Sequence, residues 1–201
     1  MLYNLKTYKR QADNTAPPEY RELSPLGTSP VIVDGNLVLC ESNAILDYLL
    51  DQAPSSSLRP TPQASNRADY LFWYHSAQGT FQPNLSIDSL MRIIPTRVPW
   101  PISIIAGMIS SKTQDAYVQP RLKHYLGLAE KRLAESDYLV GSELTAADIT
   151  SIYPMDAALH RYPSFPEQFP RCQAWFQRLA ERKAFKRAQE KVGEEHVSLH
   201  L

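Results

Sequence analysis

Two short groups of residues could hold a small polar ligand: Ser29-Pro30, through its backbone, and, shortly after, Glu41-Ser42, through its side chains. A carboxylate beside a hydroxyl fits a free amino-acid end, which bears one ammonium and one carboxylate. Glu41 would take the ammonium. Ser42 is the expected N-cap of a helix over 43–50, so its hydroxyl joins the N–H groups of the first turn and the helix dipole in receiving the carboxylate. Glu-Ser before a helix is a common cap in its own right, so its weight comes from what precedes it. Pro30 opens the apolar run Val31-Ile32-Val33. A trans bond there would merely start a strand, whereas a cis bond would turn the backbone of Ser29 toward a ligand; the sequence leaves the isomer open.

The surrounding residues say what must position these groups. Residues 19–48 read as a short helix, a tight loop into Ser29-Pro30, a hairpin turned at Asp34-Gly35, and a second helix opened by Glu41-Ser42. Pro54-Ser55-Ser56-Ser57 and Arg59-Pro60-Thr61-Pro62 form a turn-rich linker, after which helical periods take over. One long helix is expected over 66–90, with Leu71, Tyr74, Gln78, Phe81 and Leu85 on one face. The next carries Val118, Leu122, Leu126, Ala129 and Leu133. Between them, 93–101 reads as a proline-rich loop. Thr145 as N-cap with Asp148 at the third helical position forms a capping-box variant, so Asp148 reads as a folding residue. Its removal is expected to cost about 1 kcal/mol, more if buried.

The order of elements in 19–48 resembles the later part of the thioredoxin-like domain of cytosolic glutathione transferases. The run Gly141-Ser142-Glu143-Leu144-Thr145-Ala146-Ala147-Asp148 is similar to the signature of their all-helical domain, and with the C-terminal Trp175-Phe176 segment the likeness spans nearly the whole chain, closest to the fungal members. The resemblance implies an α+β protein: a partial thioredoxin-like domain over 1–56, incomplete at its N-terminus, and an all-α domain over 64–201. It implies glutathione as cosubstrate, held by Thr28, Ser29, Pro30, Glu41 and Ser42. An apolar pocket for an electrophile is expected between the domains, with Tyr74, His75, Phe81 and Trp100 as candidate lining; each is equally a core or interface aromatic. In the family a first strand and helix precede the strand that matches Leu5–Tyr8 and bring the residue that activates the thiol. Met1 stands almost at that strand, so the catalytic residue is unknown. The strand would lack its usual neighbour, to be covered by rearranged pairing, a partner chain, or release of 1–16 into a loop.

The implied reaction is presentation of the glutathione thiolate to an apolar electrophile. The alternatives are glutathione-dependent cis/trans isomerisation of a double bond, as in fungal specialised metabolism, and a non-catalytic binding scaffold. Composition agrees with a compact protein: 43% of the 201 residues are hydrophobic and the formal net charge is 0. That balance, with no basic run, argues against a nucleic-acid partner. No signal peptide opens the chain and the apolar stretch 102–109 is too short to span a bilayer, so the cytoplasm and no membrane partner are expected. Cys40 and Cys172 are far apart and give no disulfide framework, and Cys40 reads as packing. His196 and His200 stand at i, i+4, but the tail reads as solvated and no metal is expected. Leu71-Phe72-Trp73-Tyr74 is apolar around more than one stripe, and a homodimer is the expected state.

Overall fold

The computed structural model describes residues 3–13, 15–24 and 26–192, and the chain divides into two compact units, Met1–Ser56 and Ser57–Leu201. In the first, α1 (Pro18–Leu23) is followed by the antiparallel strands β1 (Val31–Asp34) and β2 (Leu37–Cys40), then by α2 (Ser42–Asp51). The hairpin register is Val31↔Cys40 to Asp34↔Leu37. Its positive φ of 58° falls on Gly35, the first of the two loop residues, where a type II′ turn asks for glycine. Residues 5–8 form no strand; Leu5 is 51% exposed. Strand residues hold their form through a neighbour's N–H and C=O groups, and among the described residues β1 pairs only with β2. The segment runs instead as a loop, closed by the Gln11 N–H donating to the Thr15 carbonyl.

The second unit is helical: α3 (Arg67–Ser76), α4 (Gln82–Ile93), α5 (Ile102–Thr113), α6 (Gln119–Arg132), α7 (Ala146–Arg161), α8 (Phe165–Gln168), α9 (Pro170–Ala180) and α10 (Lys183–Val192). The helix expected over 66–90 is interrupted by a π turn at Ala77–Phe81, and a second π turn, Gln114–Val118, precedes α6. Both turns lead into Gln-Pro. Pro83 and Pro120 have no N–H to give the carbonyl four residues back, and the wider turn absorbs the ring where the regular ladder fails.

The buried face of the first helical pair is Tyr70, Trp73, Tyr74, Ala77, Phe81 and Leu85, while Leu71 and Gln78, expected on it, are exposed. With five apolar residues in succession at 70–74 the period there is ambiguous, and packing chose the Tyr70 phase. Of the expected stripe, Val118, Leu122, Leu126 and Ala129 are buried, while Leu133, just beyond the end of α6, is half-buried. Asp148, fully buried, accepts the Leu139 N–H (2.9 Å), the Trp175 indole N–H (3.0 Å), the Thr145 N–H (2.9 Å) and the Thr145 hydroxyl (3.0 Å). Burial pushes its carboxyl above the ordinary range, and those donors pull the other way. Asp88, also fully buried, accepts from the Tyr162 hydroxyl (2.6 Å), the Gln114 amide (2.8 Å) and Arg92 Nε (2.9 Å).

Candidate functional site

The hairpin register brings the two groups of residues together. Val31 pairs with Cys40 at the last rung of the ladder, so Pro30 and Glu41 are the residues that flank that rung on the two strands. Thr28, Ser29, Pro30, Glu41 and Ser42 are all exposed. They line the open end of the hairpin where α2 begins.

The loop leading into it is fixed from beneath. The Tyr20 hydroxyl (3.0 Å) and the hydroxyl of the buried Ser24 (3.2 Å) both donate to the Thr28 carbonyl, which sets the position of Ser29. Burial raises the Tyr20 phenol above its ordinary value, which keeps it protonated and donating. Ser24 Oγ also lies 3.6 Å from Cys40 Sγ, at the end of β2. The Tyr48 hydroxyl on α2 donates to Asp34 at 2.7 Å, tying the helix to the far end of the hairpin. The Ser29–Pro30 bond is cis.

Glu41 is the single non-glycine residue with positive φ among the described residues, at φ 74°, ψ 121°. This region is sparsely populated for residues with a Cβ and costs on the order of 1–3 kcal/mol, a cost characteristically found at ligand clamps. The expectation that Ser42 caps α2 is corrected: the helix starts at Ser42, Glu41 occupies the N-cap, and neither supplies a side-chain cap hydrogen bond. The backbone turn at Glu41 moves the helix start one residue earlier and leaves both side chains uncommitted to capping. Their hydroxyl and carboxylate stand at the positive end of the helix dipole.

The other candidates are placed differently. Tyr74 and Phe81 are buried in the helical unit, Tyr74 stacked on Tyr70 at 5.3 Å and Phe81 on Tyr125 at 4.3 Å. Their aromatic area is used in packing, so they do not line an open pocket. His75 is exposed and Trp100 is 80% exposed. Cys172 is buried, and burial together with Glu130 pushes its thiol well up, which makes it inert. His196 and His200 lie outside the described residues. Sequence reasoning missed Tyr20 and Ser24, whose role appears only once the loop closes over them, and the strained backbone of Glu41, which no glycine announces.

Two family models match the chain: the glutathione S-transferase N-terminal domain over residues 5–57 and the glutathione S-transferase C-terminal domain over 93–183. The chain is 28% identical over 200 residues to glutathione S-transferase 1 of Saccharomyces cerevisiae, covering 94% of this chain and 85% of the relative. It is 30% identical over 183 residues to the glutathione S-transferase-like protein LUC7 of a Fusarium species, covering 89% and 77%. Among solved structures, a glutathione S-transferase from Actinobacillus pleuropneumoniae matches with a TM-score of 0.72 at 24% identity, over 95% of this chain and 81% of that one. A thioredoxin-like unit followed by an all-helical unit is the architecture of a glutathione transferase. The chain belongs to the glutathione S-transferase family.

Proposed function

We propose that the protein is a glutathione-dependent transferase that holds the tripeptide at the open end of the β1–β2 hairpin and presents its thiol to an apolar electrophile. Glu41 receives the γ-glutamyl ammonium, Ser42 and the first turn of α2 receive the γ-glutamyl carboxylate, and the backbone of Ser29 meets the cysteinyl part. The observation that carries this reading is the strained, non-capping Glu41 directly after the Val31–Cys40 rung that closes the hairpin ladder. An acid held in a costly backbone conformation, with its side chain free of the helix it opens, is fitted for something outside the chain.

The chemistry asked of the site is modest. A cysteine thiol has an ordinary pKa of about 8.5, so only a minority is ionised near neutrality, and lowering it by about two units makes the nucleophilic thiolate dominant. Conjugation is the outcome proposed. Pairing of two chains belongs to the same reading, supported by Leu71 and Phe72, 39% and 50% exposed on the outer face of α3.

Glu41→Gln and Ser42→Ala test the assignment. Each removes one charge-assisted partner of the γ-glutamyl end and is expected to weaken glutathione binding about tenfold, with the melting temperature little changed because both side chains are exposed. Calorimetric titration with glutathione measures this directly. Wild-type affinity in both variants would remove Glu41 and Ser42 from the site.

A further inference from the structure

Helix α5 is built inside out. Its inward arc carries Ser103, Ala106, Gly107, Ser110 and Thr113, small or polar residues that are buried or half-buried where the helix packs against α4 and the turns on either side. Its outward arc carries Ile102, Ile104, Ile105, Met108 and Ile109, 54%, 55%, 60%, 60% and 61% exposed. Trp100 stands just ahead of it at 80% exposure, and Leu90 and Ile93 at the end of α4 are 54% and 43% exposed. A helix of a globular unit puts its apolar stripe inward. Here five large apolar side chains point the other way, which marks a contact surface.

The charges around that face indicate what it contacts. Between Asp88 and Asp115 the charged residues are Arg92, Arg97 and Lys112, with no carboxylate among them, in a chain whose formal net charge is 0 overall. Arg92 is engaged by Asp88. Arg97 and Lys112 are exposed and frame the apolar arc, one in the loop before α5 and one in its last turn. A second copy of this face would bring these cations against one another, and the nearest carboxylate beyond Lys112 along the chain, Asp115, already accepts from the Gln119 amide at 2.7 Å. A bilayer containing anionic lipid meets both requirements: the acyl boundary takes the isoleucines, the headgroups take the cations, and a tryptophan sits between. The helix has 12 residues and is about 18 Å long, suited to lie in the interface plane. Among the described residues no helix is long and apolar enough to cross a membrane, so the contact is with the surface.

We propose that the outer face of α5, with Trp100, docks on anionic lipid bilayers. Trp73 and Trp175 are buried, so a change in tryptophan emission on lipid addition reports Trp100. The expected result is a blue shift and co-flotation with vesicles of phosphatidylcholine containing phosphatidylserine, but not with phosphatidylcholine alone, reversed by salt. Replacing Arg97 and Lys112 together by alanine should weaken partition about thirtyfold, and Ile105→Ser with Met108→Ser should abolish it. Quenching of the wild-type emission by brominated acyl chains reports insertion without any substitution. Absence of flotation at low salt, equal binding to both vesicle types, or binding retained in the serine variant would each overturn the proposal. So would a Trp100 shift that follows protein concentration without lipid and disappears, together with the dimer in light scattering, in the serine variant; that face would then join two copies of the chain.

Discussion

Replacing Asp148 by alanine is expected to lower the stability of the helical unit by about 4 kcal/mol, well above the loss of an ordinary helix cap. The reason is the number of groups left behind. The carboxylate gathers the Leu139 N–H, the Trp175 indole, and the N–H and hydroxyl of Thr145, all within 2.9–3.0 Å. Leu139, Thr145 and Trp175 are themselves buried, so no water replaces the lost acceptor. Each orphaned buried donor carries a desolvation penalty of about 1–3 kcal/mol, and partial relaxation keeps the total below their sum. Asp148→Asn should fall between, since its amide keeps one acceptor oxygen and turns N–H groups toward the Thr145 donor. Chemical denaturation followed by far-ultraviolet circular dichroism measures both losses. Activity per folded molecule should be unchanged; a stable but inactive Asp148→Ala protein would show a direct chemical role instead.

A loss of similar size, about 3–5 kcal/mol, is expected for Asp88→Ala. Asp88 on α4 joins the Tyr162 hydroxyl just after α7, the Gln114 amide in the second π turn, and Arg92 one turn further along its own helix. Arg161, with a side chain only 9% exposed, lies 3.7 Å from the same carboxylate and donates to the Leu85 carbonyl. Removing Asp88 leaves a buried guanidinium without its counter-charge and a buried phenol without its acceptor, the situation in which breaking a buried pair costs most. Burial and the neighbouring carboxylate already push the Tyr162 phenol far above its ordinary range, so it stays a donor throughout the accessible pH range. Thermal melts should show the fall, with Asp88→Asn losing less because one oxygen still accepts from Tyr162 and Gln114. A melt at the wild-type temperature for the alanine variant would contradict the network.

Much of this architecture can be read from the residues because local signals agree with packing. Thr145 and Asp148 announce a cap by type and spacing, Asp34-Gly35 announces the hairpin, and the Val118–Ala129 stripe keeps its phase because Gln119, Arg121, Lys123 and His124 interrupt the apolar residues in its first half. The misreadings fall where local signals are degenerate or where backbone geometry intervenes. Residues 70–74 offer several equivalent helical phases, and only the surrounding helices choose among them. Residues 5–8 have strand-forming character, which cannot become a strand without a neighbouring ladder. Ser42 has the side chain of a cap, but with Glu41 at positive φ the helix starts one residue earlier and Ser42 becomes its first residue. The exposed arc of α5 was visible as an apolar run, yet its direction depends on Ser103, Ala106 and Ser110 facing inward, which no period of hydrophobic residues predicts.

Incubation of the protein with glutathione and a conjugated enone, followed by mass spectrometry of the products, decides the proposed reaction. A thiol adduct carrying the intact tripeptide, formed faster than in buffer alone, is the predicted product. Isomerised enone with glutathione unchanged would keep the dependence on the tripeptide but replace conjugation by reversible addition. Folded protein that yields neither product above the buffer rate would contradict the assignment of this chain as a glutathione-dependent transferase.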